Sequence, residues 1–257
     1  MTANDVINII ESVAPLSQQE GWDNSGLQIG VRDTEVARVL LCTDITEEVL
    51  QEAVEKNCRM IVSHHPLLFR GLKTIEGNTR PERCAIMAIR HNIVLYSSHT
   101  AMDVWLHGVS GRMAKKLGIK QYQILSPAAG NVGLGVIGNL PYELSLQDFL
   151  ELLKTVFQTP VIKYVEAAEK KPVRKVALCG GAGCDLMEEA IAQQADAFVS
   201  ADFKYHELQS VDGRCNAFDI GHFESEQFTK EIFRELLQDK VECIFAESDR
   251  SPVKIYV

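Results

Sequence analysis

Short apolar runs alternate with amphipathic stretches along most of this 257-residue chain. Apolar residues three and four apart predict a helix near residues 3–13, stopped by Pro15. Continuous apolar runs predict strands at Ala37–Cys42, Met60–Ser63 and Ile93–Ser97, with helices at Glu47–Lys56 and Pro81–His91 between them. A polar loop covers Arg70–Arg80, and a helix at Gly108–Leu117 is closed by Gly118 as its C-cap. After the Gly- and Pro-bearing stretch Ser126–Gly135 the pattern restarts with an apolar run at Gly135–Leu140, a helix at Ser145–Lys154 and a strand at Val161–Val165. Strands at Arg174–Cys179, Ala197–Ser200, Asn216–Ile220 and Val241–Ala246 follow, separated by helices at Cys184–Gln194, Phe203–Val211 and His222–Gln238. Pro252–Val257 reads as a terminal edge strand.

Such alternation implies an α/β fold with mostly parallel sheets. Ser126–Gly135 is the best boundary, dividing the chain into halves 1–127 and 128–257, with the last strand able to return to the first half. The expected architecture is two interlinked α/β subdomains with a ligand site in the cleft between them.

Composition narrows the function classes. Apolar content of 46% and charged content of 24% are ordinary for a globular protein able to bury a full core. A formal net charge of −9 argues against general nucleic-acid or anionic-membrane binding. It leaves room for a phosphorylated small molecule, because bound divalent cations reverse the local sign. Seven cysteines occur without a Cys-x-x-Cys pair and read as small buried hydrophobes of a reducing cytosol. The first residues lack a basic region followed by an apolar core, and no apolar run approaches a membrane span. The expected location is the cytoplasm.

The chemistry gathers at strand ends. His64 and His65 follow the apolar run Met60-Ile61-Val62 and precede Pro66, which cannot continue a ladder and restricts His65. Both imidazoles therefore sit on rigid backbone at the carboxyl end of a strand, where α/β sheets bind ligands. Paired imidazoles suit transition metals. His99 and Asp103 follow the strand Ile93–Ser97. His222 and Glu226, four apart, share one face of a helix's first turn after Asn216–Ile220. A His and a carboxylate so spaced can hold one metal, or the carboxylate can bridge two.

Other motifs carry two readings each. Trp22–Leu27 is an Asx-type turn with an aromatic lid, or a loop presenting Trp22 as a stacking surface for a flat substrate. Gly180, Gly181 and Gly183 form a tight strand-to-helix turn, or touch a phosphate or polar substrate through backbone amides. The cluster Asp202–Glu207 either supports metal ligands or starts a solvated helix. Thr46 or Asp44 fits an N-cap for the helix from Glu47. There is no Gly-x-Ser-x-Gly elbow and no cysteine with an evident basic partner, so metal-activated water is favoured over covalent catalysis.

The segments WDNSGLQIG at Trp22–Gly30, Thr43–Thr46, SHHPLLF at Ser63–Phe69, SHTAMD at Ser98–Asp103, Gly180–Gly183, DAFVSADFKYHE at Asp196–Glu207 and DIGHFESE at Asp219–Glu226 run in one order. In that order they resemble the NIF-three-like family of dinuclear-metal proteins, many of whose members are named GTP cyclohydrolase I type 2 homologue. The resemblance runs nearly end to end. It implies two divalent metal ions per subunit (zinc, iron or manganese) held by His64, His65, Asp103, His222 and Glu226, with Asp103 or Glu226 bridging. It implies His99 close by, and a toroidal homohexamer. Longer members carry an inserted domain, for which this chain is too short; the loop near 126–135 is where it would enter.

Two functions then compete. In the first, the protein is a metal-dependent hydrolase of a nucleotide, opening a guanine ring at C8 as GTP cyclohydrolases do, or cutting a phosphoester. Glu226 or His99 would shuttle the proton, and the glycine loop would contact phosphates. In the second, it is a non-enzymatic protein that stores or delivers metal or binds a nucleotide as a signal. A mixed set of nitrogen and oxygen ligands with open positions favours the first.

Overall fold

Strands form in the order β1 (Gly26–Ile29), β2 (Arg38–Cys42), β3 (Met60–Ser63), β4 (Val94–Ser97), β5 (Tyr122–Pro127), β6 (Gly133–Leu144), β7 (Lys163–Val165), β8 (Val173–Leu178), β9 (Ala197–Ser200), β10 (Asn216–Asp219) and β11 (Glu242–Phe245). The structure is a computed structural model describing residues 1–256. It divides into two units: Met1–Met102 with Thr229–Arg250, and Asp103–Phe228 with the residues from Ser251.

The first unit is built on a five-stranded sheet in the order β1-β4-β3-β2-β11. Its β4-β3-β2-β11 pairs are parallel, and β1 closes the edge antiparallel to β4. Every residue of β3 and β4 is buried, as continuous apolar runs in the middle of a parallel sheet require. Helices Glu47–Glu55 and Arg80–Arg90 make the crossovers. Thr46 caps the first by accepting from Val49 N at 3.2 Å, and Thr79 caps the second. Leu40, Val49, Leu50, Ile61, Ala88 and Leu95 pack in one core.

The second unit holds a six-stranded sheet in the order β5-β6-β8-β9-β10-β7. Here β8, β9 and β10 are parallel, while β5, β6 and β7 pair antiparallel, so this sheet is mixed. Phe149, Phe157 and Phe218 anchor the core on one face, and Phe198, Phe203 and Val211 the core on the other. No helix among the described residues is long and apolar enough to cross a membrane.

Several elements differ from the sequence reading. The stretch 126–135 is the turn of the β5–β6 hairpin, inside the second unit, and the chain instead passes between units at Met102–Asp103. Dense Gly, Pro and Asn mark hairpins and linkers alike. The expected helix His222–Gln238 is two helices, His222–Glu226 and Thr229–Leu237. Its apolar stripe serves two units: Phe228 packs in the second, whereas Thr229–Leu237 belongs to the first. Residues 252–256 form no strand; Val257 lies outside the described residues. The strand expected at Val241–Ala246 forms as β11, parallel to β2 in the sheet of the first unit.

Candidate metal centre

In the first unit, register does the assembly. Cys42 lies opposite Ser63, and Ser63 opposite Ser97, so β2, β3 and β4 end level. The residues that follow therefore emerge together: Thr43-Asp44, His64-His65 and Ser98-His99. Ser63 Oγ and Ser97 Oγ are 2.7 Å apart, tying the two histidine-bearing strand ends together. His64, His65 and His99 can each offer a ring nitrogen, all within 4.8 Å of one another.

Each ring is aimed by an oxygen on Nδ1. His64 Nδ1 lies 3.1 Å from the Ser98 carbonyl; a carbonyl only accepts, so Nδ1 carries the proton. His65 Nδ1 donates to Asp44 Oδ1 at 3.0 Å, and His99 Nδ1 to Asp23 Oδ1 at 2.8 Å. Asp23 is buried and also accepts from Thr100 N, Thr100 Oγ1 and Ser25 Oγ. Burial opposes its ionisation, but the hydrogen bonds from His99, Thr100 and Ser25 outweigh it and hold the carboxyl well below the usual carboxylate range. Carboxylates and carbonyls on Nδ1 make Nε2 the nitrogen that could take a metal.

The second unit repeats this logic. Strands β8, β9 and β10 are parallel and deliver Gly180-Gly181, Asp202 and Gly221-His222 from their carboxyl ends. His222 Nδ1 donates to Asp202 Oδ2 at 2.7 Å, and its Nε2 lies 3.1 Å from Glu226 Oε2 one helical turn on. Asp202 takes a left-handed conformation with φ of 59°, one that Asp tolerates better than most residues and that often marks function. Asp103 is half-buried. Burial first, and then the charges of Asp103 and Glu226, push the Cys179 thiol up to about 12.

The profile of the Duf34/NIF3 family (NGG1p interacting factor 3) matches residues 1–252. The chain belongs to that family. A relative from Clostridium perfringens named GTP cyclohydrolase 1 type 2 homolog is 34% identical, with 98% of each chain covered. Another of that name from Campylobacter jejuni is 30% identical over all of both chains. The crystal structure of Staphylococcus aureus hypothetical protein SA1388 superposes with a TM-score of 0.90 at 26% identity, covering 100% of this chain and 99% of that one.

Within the family frame, the first unit brings His64, His65 and His99 together, and the second places His222 against Glu226. The donors fit a metal. Imidazoles with Nδ1 held in place and buried carboxylate oxygens are ligand types that divalent transition metals take. Gly181 adds a second sign. Its φ is 65°, and a Cβ there would stand well inside van der Waals contact distance of Glu226 Oε1 and 3.4 Å from His222 Cε1. The backbone has been kept bare where the carboxylate and imidazole need the room.

The glycine loop's own amides face inward. Gly180 N donates to Ser110 Oγ at 3.3 Å, Gly181 N to Ser225 Oγ at 2.9 Å and Gly183 N to Ser200 Oγ at 3.0 Å. Sequence reasoning saw Asp23 only as part of an Asx-type turn and Asp44 chiefly as a cap, although Asp23 aims His99, Thr46 caps the helix and Asp44 aims His65. For Asp44 the available signal was an acidic residue two positions past a strand end, level with a histidine two positions past the end of the next strand. All seven cysteines are free thiols.

Proposed function

We propose that this protein is a metal-dependent hydrolase of a guanine nucleotide, with His64, His65, Asp103, His222 and Glu226 as ligands of two divalent cations. The observation that carries the reading is the common setting of His64, His65, His99 and His222, each with Nδ1 held by an oxygen. That arrangement orients an imidazole for a metal and raises its basicity. Bound cations of this kind supply Lewis acidity and a water that ionises near neutral pH. The chain's own groups do the rest. Asp44, Asp202 and the Ser98 carbonyl hold the ligating rings still. His99, steadied by Asp23, takes or returns a proton at Nε2, and Glu226 serves the same purpose beside His222. Relatives that carry the name GTP cyclohydrolase 1 type 2 homolog support the nucleotide as substrate class.

Elemental analysis and turnover test this together. Wild-type protein reconstituted with manganese, iron or zinc is expected to hold two equivalents and to hydrolyse GTP, while His64→Ala and Glu226→Ala lose metal and turnover in parallel. Tight metal binding with no turnover across a nucleotide panel would favour the metal-handling or regulatory alternative. A homohexamer belongs to the same proposal, supported by family membership and checked by light scattering.

A further inference from the structure

Trp22 is 61% exposed and Phe69 is 48% exposed, side by side in the first unit. Their ring centroids are 5.8 Å apart with the planes tilted by 59°. Each ring also meets His99 edge-on, at 6.0 Å from Trp22 and 6.2 Å from Phe69. His99 in turn lies 5.3 Å from both His64 and His65. An open aromatic corner therefore adjoins the imidazole cluster, one ring-width away.

The corner is held rigidly. Asn24 Nδ2 donates to the Leu68 carbonyl at 2.6 Å, joining the Trp22 turn to the segment bearing Phe69. Gln28 accepts from Leu68 N at 3.1 Å and donates to the Asn24 carbonyl at 2.6 Å. Asp23, next to Trp22, holds His99. Large aromatic faces left in water forgo hydrophobic stabilisation, and a turn stitched this thoroughly keeps them there instead of letting them fold inward. Phe69 offers a phosphate no donor and Trp22 offers a single N–H, so the pair suits a flat ring.

Resting on the metal-site reading above, we propose that Trp22 and Phe69 form the ring-binding wall of the substrate site. Its occupant is a planar heteroaromatic ring, such as a purine base, stacked beside His99. Recognition then lies in the base, not in the phosphate chain.

Trp22→Ala, Trp22→Phe and Phe69→Ala, all at exposed positions, test this against guanosine, GTP and inorganic tripolyphosphate by equilibrium dialysis. In a Trp105→Phe background Trp22 is the sole tryptophan and reports directly by fluorescence quenching. Guanosine and GTP are expected to bind and quench, and tripolyphosphate, which has no ring, not to quench. Trp22→Ala should weaken GTP about ten-fold, Phe69→Ala comparably, and Trp22→Phe much less, since base stacking tolerates any aromatic face. Metal content should be unchanged in all three. Equal binding of GTP by wild type and Trp22→Ala would overturn the proposal even if turnover is confirmed. So would tripolyphosphate quenching as strongly as GTP, or a change of oligomeric state in Trp22→Ala with base binding intact. Stacking without turnover would uphold the wall while sinking the hydrolase reading.

Discussion

His99 and Asp23, 76 residues apart in sequence, are joined by an Nδ1–Oδ1 hydrogen bond of 2.8 Å. Asp23 receives donors at both oxygens: His99 and Asn24 N at Oδ1, and Thr100 N, Thr100 Oγ1 and Ser25 Oγ at Oδ2. In Asp23→Asn the amide nitrogen must face one of these donor sets. Loss of about 2 kcal/mol of stability is expected. Metal affinity should fall about ten-fold or more as His99 and its neighbours lose their alignment. Denaturant titration and chelator competition measure the two effects; unchanged affinity would mean that His99 has no bearing on the metal.

Gly181→Ala probes the second unit's donors without touching a ligand. The added Cβ collides with Glu226 Oε1, and φ of 65° strains any L side chain. A stability loss of about 1–3 kcal/mol is expected, together with weakened metal uptake. Gly71→Ala is the matched control, with nothing within 4 Å of its Cβ, and should change stability by less than about 0.5 kcal/mol.

How much of this was legible beforehand divides along physical lines. The buried strands β2, β3 and β4 announced themselves as apolar runs, and Pro66 fixed where His64 and His65 would stand. Strand β1 did not, because Gly26–Ile29 is short, only partly buried and antiparallel at an edge. Strand β5, largely unburied, hid for the same reason. Residue types singled out the candidate imidazoles, but not their partners: which carboxylate reaches which ring depends on register between strands, a long-range quantity. The glycine loop shows the limit most plainly. Its spacing suggested anion contact, whereas its amides are engaged by serines 70, 44 and 17 residues away.

Glu52 should govern acid stability. It accepts from Glu247 N and Ser248 N at 2.9 Å each, from Ser248 Oγ, and from Lys56 at 2.7 Å. Burial opposes its charge, but Lys56, Ser248 and the two amides prevail and lower it to about 2. A depressed folded value stabilises above the unfolded value near 4.5 and is lost as pH falls toward 2. Glu52→Gln is therefore expected to be less stable than wild type at pH 7 by up to about 3 kcal/mol. The two proteins should converge near pH 2, followed by urea melts across that range.

Thiol titration offers a check on the chemistry. Burial pushes Cys58, Cys84, Cys215 and Cys243 up to about 11 and Cys179 up to about 12, and it raises Cys42 well above the usual thiol value. Only Cys184 and Cys243 are partly exposed. At pH 8 an aromatic disulfide reagent should label those two slowly and the other five only after unfolding. Rapid labelling of Cys179 would reopen a nucleophilic role for it.

Asp249 accepts from Thr43 N at 2.9 Å and Asp44 N at 3.3 Å, and pairs with Lys230 at 2.7 Å. It thereby sets the turn whose carboxylate aims His65. A ribosome delivers residues 103–228 before it delivers 249, so the unit begun first is completed second. A nascent chain halted short of that aspartate already carries its histidine pair, but not the turn that points it. The orientation of His65 is thus settled late in this molecule's biogenesis, only after the residues of an intervening unit have been made.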